Sequence, residues 1–398
     1  MAWEVRKLGD VSKIMYGYTE SASINEIGPK FLRITDIQDS DVNWETVPYC
    51  KINESDFKKH KLSDGDIVFA RTGATTGKSY LLVNPPDSVA ASYLIKVHLE
   101  NSKLKPEFLY QYFQSGEYWD LIKIGKTGST LGGFNATKLS ELEIPIPPLA
   151  EQKRIVEILD EAFSAISTAK ENAEKNLKNA KELFESYLNN IFEKIGKDWE
   201  EKKLGEVCEI KPSKSEAREK LKDTDSVSFV PMEDMGINQK YFIPEKERTL
   251  KEVEGSYTYF ANGDVLLAKI TPCFENGKLG IAKNLKNSIG FGSSEYIVFR
   301  TNRSLFTEYL YYFLSRSSFR TEGAQRMMGA VGHKRVSKEF IENTRIPFPP
   351  LKEQQRIVAK LDAISEQTKK LEAVYVKKIA DLDELKKSIL QKAFKGEL

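Results

Sequence analysis

A repeat within the chain constrains its fold more than any other feature. Segment 144–160, IPIPPLAEQKRIVEILD, returns as segment 346–362, IPFPPLKEQQRIVAKLD, with 12 of 17 positions identical at an offset of 202 residues. Self-similarity of this kind indicates a duplicated structural unit. The chain of 398 residues is also too long for one ordinary hydrophobic core. We therefore expect two globular units. Each is followed by one copy of the repeated segment.

Weaker similarities at nearly the same offset extend the repeat over the whole chain. They pair 3–11 with 199–207, 65–71 with 263–269, and 108–113 with 309–314. The order of parts is therefore globular unit, long helix, globular unit, long helix. The boundaries that we expect are 1–149, 150–195, 196–351 and 352–398.

The second element of each copy has the pattern of a long helix. The Ile-Pro-x-Pro-Pro run is extended, because proline fixes φ and disfavours helix for its predecessor. Glu151 and Glu353 then suit the positive end of a helix. Apolar residues follow at alternating steps of three and four, the spacing of a coiled-coil seam. The seam positions are Ile155, Leu159, Ala162, Ile166, Ala169, Ala173, Leu177, Ala180, Phe184 and Tyr187, then Ile357, Leu361, Ile364, Thr368, Leu371, Tyr375, Leu382, Leu385 and Ile389.

Each helix, with ~45 residues, would be ~65–70 Å long, and its apolar stripe needs a partner. The simplest partner is the other copy, running antiparallel. A crossing inside one compact domain and homodimerisation through the stripes are the alternatives.

The globular units have the pattern of mixed α/β domains. Short β-rich runs are separated by Gly, Pro, Asn and Asp turns. These runs are 31–34, 66–70, 93–97, 228–230, 264–268 and 296–299. Segments 106–113 and 307–314 predict one aromatic core helix in each unit. The fold class that we predict is α+β: two mixed α/β domains separated by two long helices that form an antiparallel coiled coil, with an internal pseudo-two-fold repeat.

Charge and cysteine content limit the partners and the compartment. The net charge of +2 does not by itself indicate nucleic acid. The segment from Arg316 to Lys338, however, contains six basic residues and one acidic residue. This excess of positive charge indicates either a phosphate-facing patch or an ordinary solvated surface. Three separated cysteines fit a reducing compartment. Without an apolar run of eighteen residues or a signal-peptide core, we expect a cytoplasmic protein with no membrane partner.

Two segments resemble catalytic motifs but depart from them. Segment 73–79, GATTGKS, resembles a P-loop, yet three residues separate its glycines where that motif needs four. Asn84-Pro85-Pro86-Asp87 is similar to the Asn-Pro-Pro-aromatic motif of amino-methyltransferases, with Asp87 in place of the aromatic ring. The three histidines, His60, His98 and His333, have no second ligand at metal-binding spacing. We therefore expect no catalytic site, no metal and no cofactor in this chain.

The doubled Ile-Pro-x-Pro-Pro-Leu-x-Glu-Gln-x-Arg-Ile-Val motif, each time opening a long helix after an α/β unit, resembles the specificity subunit of type I restriction–modification enzymes. The resemblance covers the whole chain. Four further stretches are family-like: 31–37 (FLRITDI), 70–78 (ARTGATTGK), 230–235 (VPMEDM) and 271–278 (TPCFENGK). The position near Val230 that matches Arg33 is not basic, so we expect the two units to recognise different sequences.

The resemblance implies a function and a set of partners. Each globular unit would be a target-recognition domain for one half of a bipartite double-stranded DNA site, and the helix pair would set the spacer. Two modification subunits would dock on the helices and methylate adenine with S-adenosylmethionine. Restriction subunits, the motor–nucleases, would then cut unmodified DNA, and ATP and Mg would belong to the partner subunits. This chain would be non-catalytic.

Base recognition needs side chains that reach the groove from loops, flanked by phosphate contacts. In the first unit the candidates for DNA contact are Arg33, Thr35, Arg71, Thr75, Lys78, Lys126, Thr127 and Ser129. In the second unit they are Lys269, Thr271, Asn276, Lys278, His333, Lys334 and Arg335. An exposed turn residue is the alternative reading of any one of them. The alternative function from another class is a coiled-coil scaffold whose heads bind protein; a stand-alone methyltransferase or NTPase would need cofactor binding by this chain alone.

Overall fold

The computed structural model describes residues 3–38, 41–100, 103–126, 134–194, 196, 199–330 and 332–398. The chain divides into two compact units, and each takes part of both long helices. Unit 1 contains residues 1–174 and 377–398, and unit 2 contains residues 175–376. The four-segment division of the sequence stays a prediction.

Residues 3–193 form ten strands and five helices among the described positions. The strands are β1 (Glu4–Lys7), β2 (Ser12–Tyr16), β3 (Lys30–Leu32), β4 (Ile37–Gln38), β5 (Asp41–Val42), β6 (Ile67–Ala70), β7 (Ser79–Leu81), β8 (Ser88–Ala90), β9 (Leu94–Leu99) and β10 (Glu143–Ile146). The helices are α1 (Glu54–His60), α2 (Pro106–Tyr112), α3 (Gly116–Lys126), α4 (Ala136–Ser140) and α5 (Leu149–Glu193).

The described part of residues 199–398 repeats this order with insertions. Its strands are β11 (Glu200–Lys203), β12 (Cys208–Ile210), β13 (Ser226–Val230), β14 (Tyr241–Phe242), β15 (Lys246–Thr249), β16 (Thr258–Ala261), β17 (Val265–Ala268), β18 (Leu279–Ala282), β19 (Ile289–Gly292), β20 (Tyr296–Thr301) and β21 (Arg345–Phe348). Its helices are α6 (Leu204–Val207), α7 (Ser215–Lys220), α8 (Leu250–Val253), α9 (Thr307–Ser315), α10 (Ser317–Gln325), α11 (Lys338–Asn343) and α12 (Leu351–Lys395).

A four-stranded sheet with the order β2-β9-β6-β7 organises unit 1, and its neighbouring strands are antiparallel. All four residues of β6 are buried, because both faces of the sheet are covered. Successive side chains point to opposite faces: Ile67 and Phe69 pack on α2 and the long helices, while Val68 and Ala70 pack in a second cluster with Leu32. Strand β1 pairs with β10 and places the start of the unit beside its end.

Unit 2 repeats this design. Its main sheet has the order β12-β20-β17-β18-β14, and a second sheet has the order β15-β13-β19-β16. Strand β17 is buried on both faces in the manner of β6, with Val265 and Leu267 in one cluster and Leu266 in another. Strands β11 and β21 pair as β1 and β10 do. The two predicted aromatic core helices, α2 and α9, are confirmed. A strand overlaps each predicted β-rich run, but β3 ends at Leu32, and a 3-10 turn begins at Ile34.

The two long helices run antiparallel in each unit. In unit 1 the first part of α5 meets the end of α12: the Lys170 ammonium lies 2.7 Å from the Asp383 carboxylate, and Phe394 packs on the rings of Phe108 and Tyr112. In unit 2 the end of α5 meets the start of α12, where Lys360 lies over the Tyr187 ring. Pairing within the chain is therefore the observed alternative.

The predicted seam is wrong at two positions. Leu371 is 43% exposed and Leu385 is 47% exposed. Leu188 and Leu390 are buried instead, one residue beyond the predicted Tyr187 and Ile389. A straight helix drifts by ~20° per heptad against a seven-residue repeat, so the buried stripe turns away from the predicted line. Near the helix ends it faces the aromatic helices α2 and α9.

A buried glutamine at the start of each long helix explains the Glu-Gln of the repeat motif. The Gln152 amide donates to the carbonyls of Pro147 (2.8 Å) and Lys103 (2.7 Å) and accepts from the Lys105 N–H (2.8 Å). Gln354 makes the equivalent bonds to the carbonyls of Pro349 and Ser304 and from the N–H of Phe306. Both glutamines are 0% exposed. Each one therefore fixes a long helix to the loop before the aromatic helix of its own unit.

None of the helices in the described ranges is both long and apolar enough to cross a membrane.

Candidate nucleic-acid interface

In unit 2 the structure joins two of the predicted DNA-contacting segments. Segment 269–278 follows β17, and segment 333–335 precedes α11. The N–H of Thr271 donates to the carbonyl of Lys334 (3.0 Å), and the N–H of Val336 donates to that of Lys269 (2.9 Å). Hydrogen bonds between backbones hold both loops together independently of their side chains. Segments 64 residues apart in sequence therefore share one surface.

Two cations of this surface, Arg335 and Lys269, lie beside one acid, Glu295. The Arg335 guanidinium makes two hydrogen bonds to the Glu295 carboxylate, at 2.7 and 2.9 Å. The Lys269 ammonium lies 3.9 Å from the same carboxylate and donates to the Ser294 carbonyl at 2.9 Å. Hydrogen bonding to Arg335 holds the pKa of Glu295 below its usual value, so that Glu295 is ionised at neutral pH. Part of the positive charge at this surface is therefore neutralised within the protein.

The remaining candidates of unit 2 differ in exposure and in their hydrogen bonds within the protein. Asn276, His333 and Lys334 are exposed. The Thr271 hydroxyl is 3.2 Å from the Lys334 carbonyl. Lys278 donates to the carbonyl of Met232 at 2.7 Å, and thereby ties its loop to the turn after β13. Lys278 thus has a structural partner already, whereas the structure shows no side-chain hydrogen bond from the three exposed residues to another described residue.

In unit 1 the turn between β6 and β7 carries three candidates, Arg71, Thr75 and Lys78. Arg71 donates to the Ser92 carbonyl at 2.9 Å and lies over the Tyr16 ring, 5.0 Å from its centroid. Thr75 is half-buried, and its hydroxyl is 3.3 Å from the carbonyl of Thr72. Lys78 is exposed. The turn therefore presents an exposed ammonium and a guanidinium that lies over an aromatic ring.

Phe134, which follows the predicted contacts Lys126, Thr127 and Ser129 in sequence, is hydrogen-bonded to this turn. The N–H of Phe134 donates to the Arg71 carbonyl at 2.9 Å, matching the bond between Val336 and Lys269 in unit 2. The predicted contacts Thr127 and Ser129 lie outside the described residues, as does the side chain of Lys126.

Arg33 and Thr35 belong to another turn, which follows β3. The Arg33 guanidinium makes two hydrogen bonds to the Asp36 carboxylate, at 3.0 and 2.7 Å. Hydrogen bonding to Asp36 raises the pKa of Arg33. Thr35 is exposed. The arginine is thus held in one orientation by its own turn.

The basic stretch 316–338 is mostly occupied within the protein. Arg316 lies 4.0 Å from the centroid of the Phe313 ring, and burial lowers its pKa to about 10. Four of the other five cations pair with acids of unit 2, namely Arg320 with Glu185, Arg326 with Glu322, Lys338 with Glu342 and Arg335 with Glu295. The continuous phosphate-facing patch that the charge count suggested therefore reduces to the tip that contains His333 and Lys334.

Equivalent loop positions differ between the two units. The Lys269 N–H donates to the Glu295 carbonyl as the Arg71 N–H donates to that of Tyr93, so Tyr93 stands where unit 2 has Glu295. Tyr93 is 60% exposed. Sequence reasoning missed Tyr93 and Glu295. In the sequence, these two residues are marked only by their position. Each lies between a run of small residues and the first residue of a strand, β9 or β20.

The turn that resembles a P-loop is not one. Residues Gly73–Thr75 form a short 3-10 turn between the antiparallel strands β6 and β7, whereas a P-loop leads from a strand into a helix. Across the part of the chain that the structure describes, no group of three or more His, Cys, Asp or Glu side chains could hold a metal ion.

Comparisons with known proteins give a family match for this chain. The family model "Type I restriction modification DNA specificity domain" matches residues 2–178 and 196–379. The EcoAI specificity subunit of Escherichia coli is 38% identical over 175 residues, which are 44% of this chain and 29% of that protein. The putative MjaX specificity subunit of Methanocaldococcus jannaschii is 25% identical over 430 residues, 100% of this chain and 93% of that protein.

Solved structures agree in fold. A chain from a study of complex assembly and conformational transition of the type I R-M system is 22% identical with a TM-score of 0.75, covering 100% of this chain and 98% of that one. The HsdS subunit from Thermoanaerobacter tengcongensis is 21% identical with a TM-score of 0.63, covering 100% and 97%. Because the family match falls once on each half of the repeat and spans most of both units, the chain belongs to the type I restriction–modification DNA specificity family.

Proposed function

We propose that this protein is the DNA sequence-specificity subunit of a type I restriction–modification enzyme. One observation carries the proposal: two units of the same fold present loops at equivalent positions, and these loops carry different polar side chains. Arg71 and Tyr93 in unit 1 correspond to Lys269 and Glu295 in unit 2. Two similar domains with different contact residues suit a bipartite, non-palindromic DNA site, of which each domain recognises one half.

The proposal assigns different tasks to different side chains. Exposed cations such as Lys78 and Lys334 suit contacts to phosphates, which give affinity without sequence preference. Side chains held in one orientation, such as Arg33 and Arg335, suit contacts to base edges. The other candidates, Thr35, Thr75, Lys126, Thr127, Ser129, Thr271, Asn276, Lys278 and His333, remain predicted DNA contacts.

The partners also belong to the proposal. Modification subunits would dock on the paired helices α5 and α12, which would set the spacer, and restriction subunits would join them. S-adenosylmethionine, ATP and Mg would be bound by those subunits, and this chain would catalyse no step. Because its DNA and its partners would be in the cytoplasm, we place the chain there. The curated relatives named above are specificity subunits, which supports this division of tasks.

The test is a domain exchange read out by methylome mapping. Residues 1–149 are replaced by the same unit of a relative, in cells that contain the modification subunits. The donor unit must keep aromatic rings that accept Phe394 in place of Phe108 and Tyr112. We expect one half of the methylated bipartite site to change and the other to persist. A change in both halves would show that the two units are not independent.

The scaffold alternative makes an opposite prediction. Heads that bind protein would give no salt-dependent shift of duplex DNA by the chain with its modification subunits. Binding of ATP or S-adenosylmethionine by the isolated chain would contradict the non-catalytic assignment in turn.

A further inference from the structure

Glu295 is the least expected residue at the candidate interface, because a carboxylate among phosphate-facing cations opposes DNA binding. Its side chain is 22% exposed, and both of its oxygens are occupied by Arg335. The contact is bidentate, a geometry that gives direction as well as energy. The acid therefore orients the Arg335 guanidinium.

The backbone of Arg335 is fixed as well. Its N–H donates to the Met328 carbonyl at 2.9 Å, and the Met328 N–H donates back at 3.1 Å. Ile270 forms a β-bridge to Arg335 on the 269–278 segment. At the far end of the side chain, Nη1 donates to the His333 carbonyl at 3.0 Å. The side chain is therefore held at both ends before any ligand binds.

The donors of Arg335 can be counted. A guanidinium carries five N–H donors. Among the residues that the structure describes, three donors have acceptors: Nε–H and one N–H of Nη2 donate to Glu295, and one N–H of Nη1 donates to the His333 carbonyl. One donor remains on each terminal nitrogen, and Arg335 is 45% exposed. A pair of donors on the two terminal nitrogens of arginine matches O6 and N7 of guanine in the major groove.

We infer that Glu295 is a positioning residue that holds Arg335 for bidentate contact with a guanine in the half-site of unit 2. The inference rests on the proposed function and extends it to a base. In unit 1 the equivalent position is Tyr93, which offers no carboxylate to Arg71. The acid that orients an arginine at this position is therefore a feature of unit 2.

The test uses the full chain with its modification subunits. The adenine methylome of cells with the wild-type proteins first defines the bipartite site. Duplexes that carry this site, and derivatives with each base pair substituted in turn, are then the binding probes. For the wild-type complex, substitution of one G·C pair in the unit 2 half-site should lower the affinity roughly 10- to 100-fold.

Glu295→Gln should weaken binding to the intact site and flatten the preference at that G·C pair alone. Affinity for an unrelated duplex should stay the same or rise, because a negative charge is lost. Arg335→Lys keeps the positive charge and should reduce the preference at the same base pair. The matched control is Glu322→Gln, which removes the acid from the surface pair with Arg326 and should change no preference.

The outcomes separate the two levels of the argument. An unchanged preference in Glu295→Gln, or an equal loss at every base pair, would overturn the positioning role and leave the proposed function standing. If the wild-type complex methylated no bipartite site, the proposed function would fall and this inference with it. A melting temperature for each variant distinguishes loss of fold, and if Glu295→Gln unfolds, Arg335→Lys decides alone.

Discussion

The buried glutamine of unit 2 offers a stability test whose magnitude follows from its contacts. Gln354→Leu preserves the approximate volume but removes three hydrogen bonds to backbone groups, and leaves the Phe306 N–H and two carbonyls unpaired. At ~1–1.5 kcal/mol for each bond, the loss is about 3–5 kcal/mol. For a unit of this size, 1 kcal/mol shifts the melting temperature by ~2–4 °C. We therefore expect the melting temperature of unit 2 to decrease by roughly 6–20 °C.

The assay is differential scanning calorimetry of the full chain, with hydrogen exchange to locate the effect. Exchange at the Phe306 amide should accelerate, because this amide loses its acceptor. Gln354→Glu keeps the acceptor but cannot donate to the two carbonyls when ionised, so it should be at least as destabilising at neutral pH. The control is Gln355→Leu, which changes the exposed neighbour on the same helix. A melting temperature of Gln354→Leu within ~2 °C of that control would refute the reasoning.

Two further predictions concern charge. Lys334→Ala should lower the slope of log affinity for DNA against log salt concentration by ~0.9 in a salt titration, as expected for one lost phosphate contact. Arg300→Met should destabilise unit 2 by ~3–5 kcal/mol at pH 7 in urea titrations, because Asp264 is buried and pairs with Arg300 at 2.8 Å. Burial already raises the pKa of Asp264, and loss of Arg300 raises it further. A carboxyl whose folded pKa exceeds its unfolded value destabilises above the folded pKa, so the deficit of the variant should shrink as the pH falls toward 4.

Each of these two predictions has a control variant and an outcome that would contradict it. For the salt slope the control is Arg326→Gln, whose side chain already pairs with Glu322; equal slopes for wild type and Lys334→Ala would mean that Lys334 does not touch phosphate. For the buried pair the control is Arg303→Met at an exposed position. A deficit in Arg300→Met that is constant from pH 7 to pH 4 would show that Asp264 is not the cause.

The frame of the fold could be predicted because it depends on local patterns. Prolines before Leu149 and Leu351 set where the long helices begin, and the apolar repeat predicts the partner of each stripe. Glycine and aspartate mark the turns that enter β6 and β17: Gly65 and Gly263 have φ of +78° and +86°, a conformation that glycine adopts without strain. Each of these signals lies within a few residues of the structure that it predicts.

The chemistry of the interface could not be predicted in the same way. Glu295 is 40 residues from Arg335 in sequence, and neither residue signals the other. Arg316 counts as one more cation in a basic stretch until the fold places it on the Phe313 ring. Charge counting treats all cations as equal, whereas the fold decides which of them already have a partner. The candidates from sequence therefore include both exposed side chains, such as Lys78, and side chains with a partner in the protein, such as Lys278.

The two copies differ where the fold does not constrain them. Gln152 and Gln354 are identical because they bind backbone groups at the same place in each unit, and a different side chain would leave those groups unpaired. The Arg71 position accepts lysine in unit 2 because the bond that joins the loops comes from the backbone carbonyl. Exposed loop positions such as Tyr93 can therefore change with little cost to stability. Under the proposed function, a duplicated frame of this kind lets each unit acquire its own DNA preference, because exposed loop positions change without disturbing the hydrogen bonds that hold the frame.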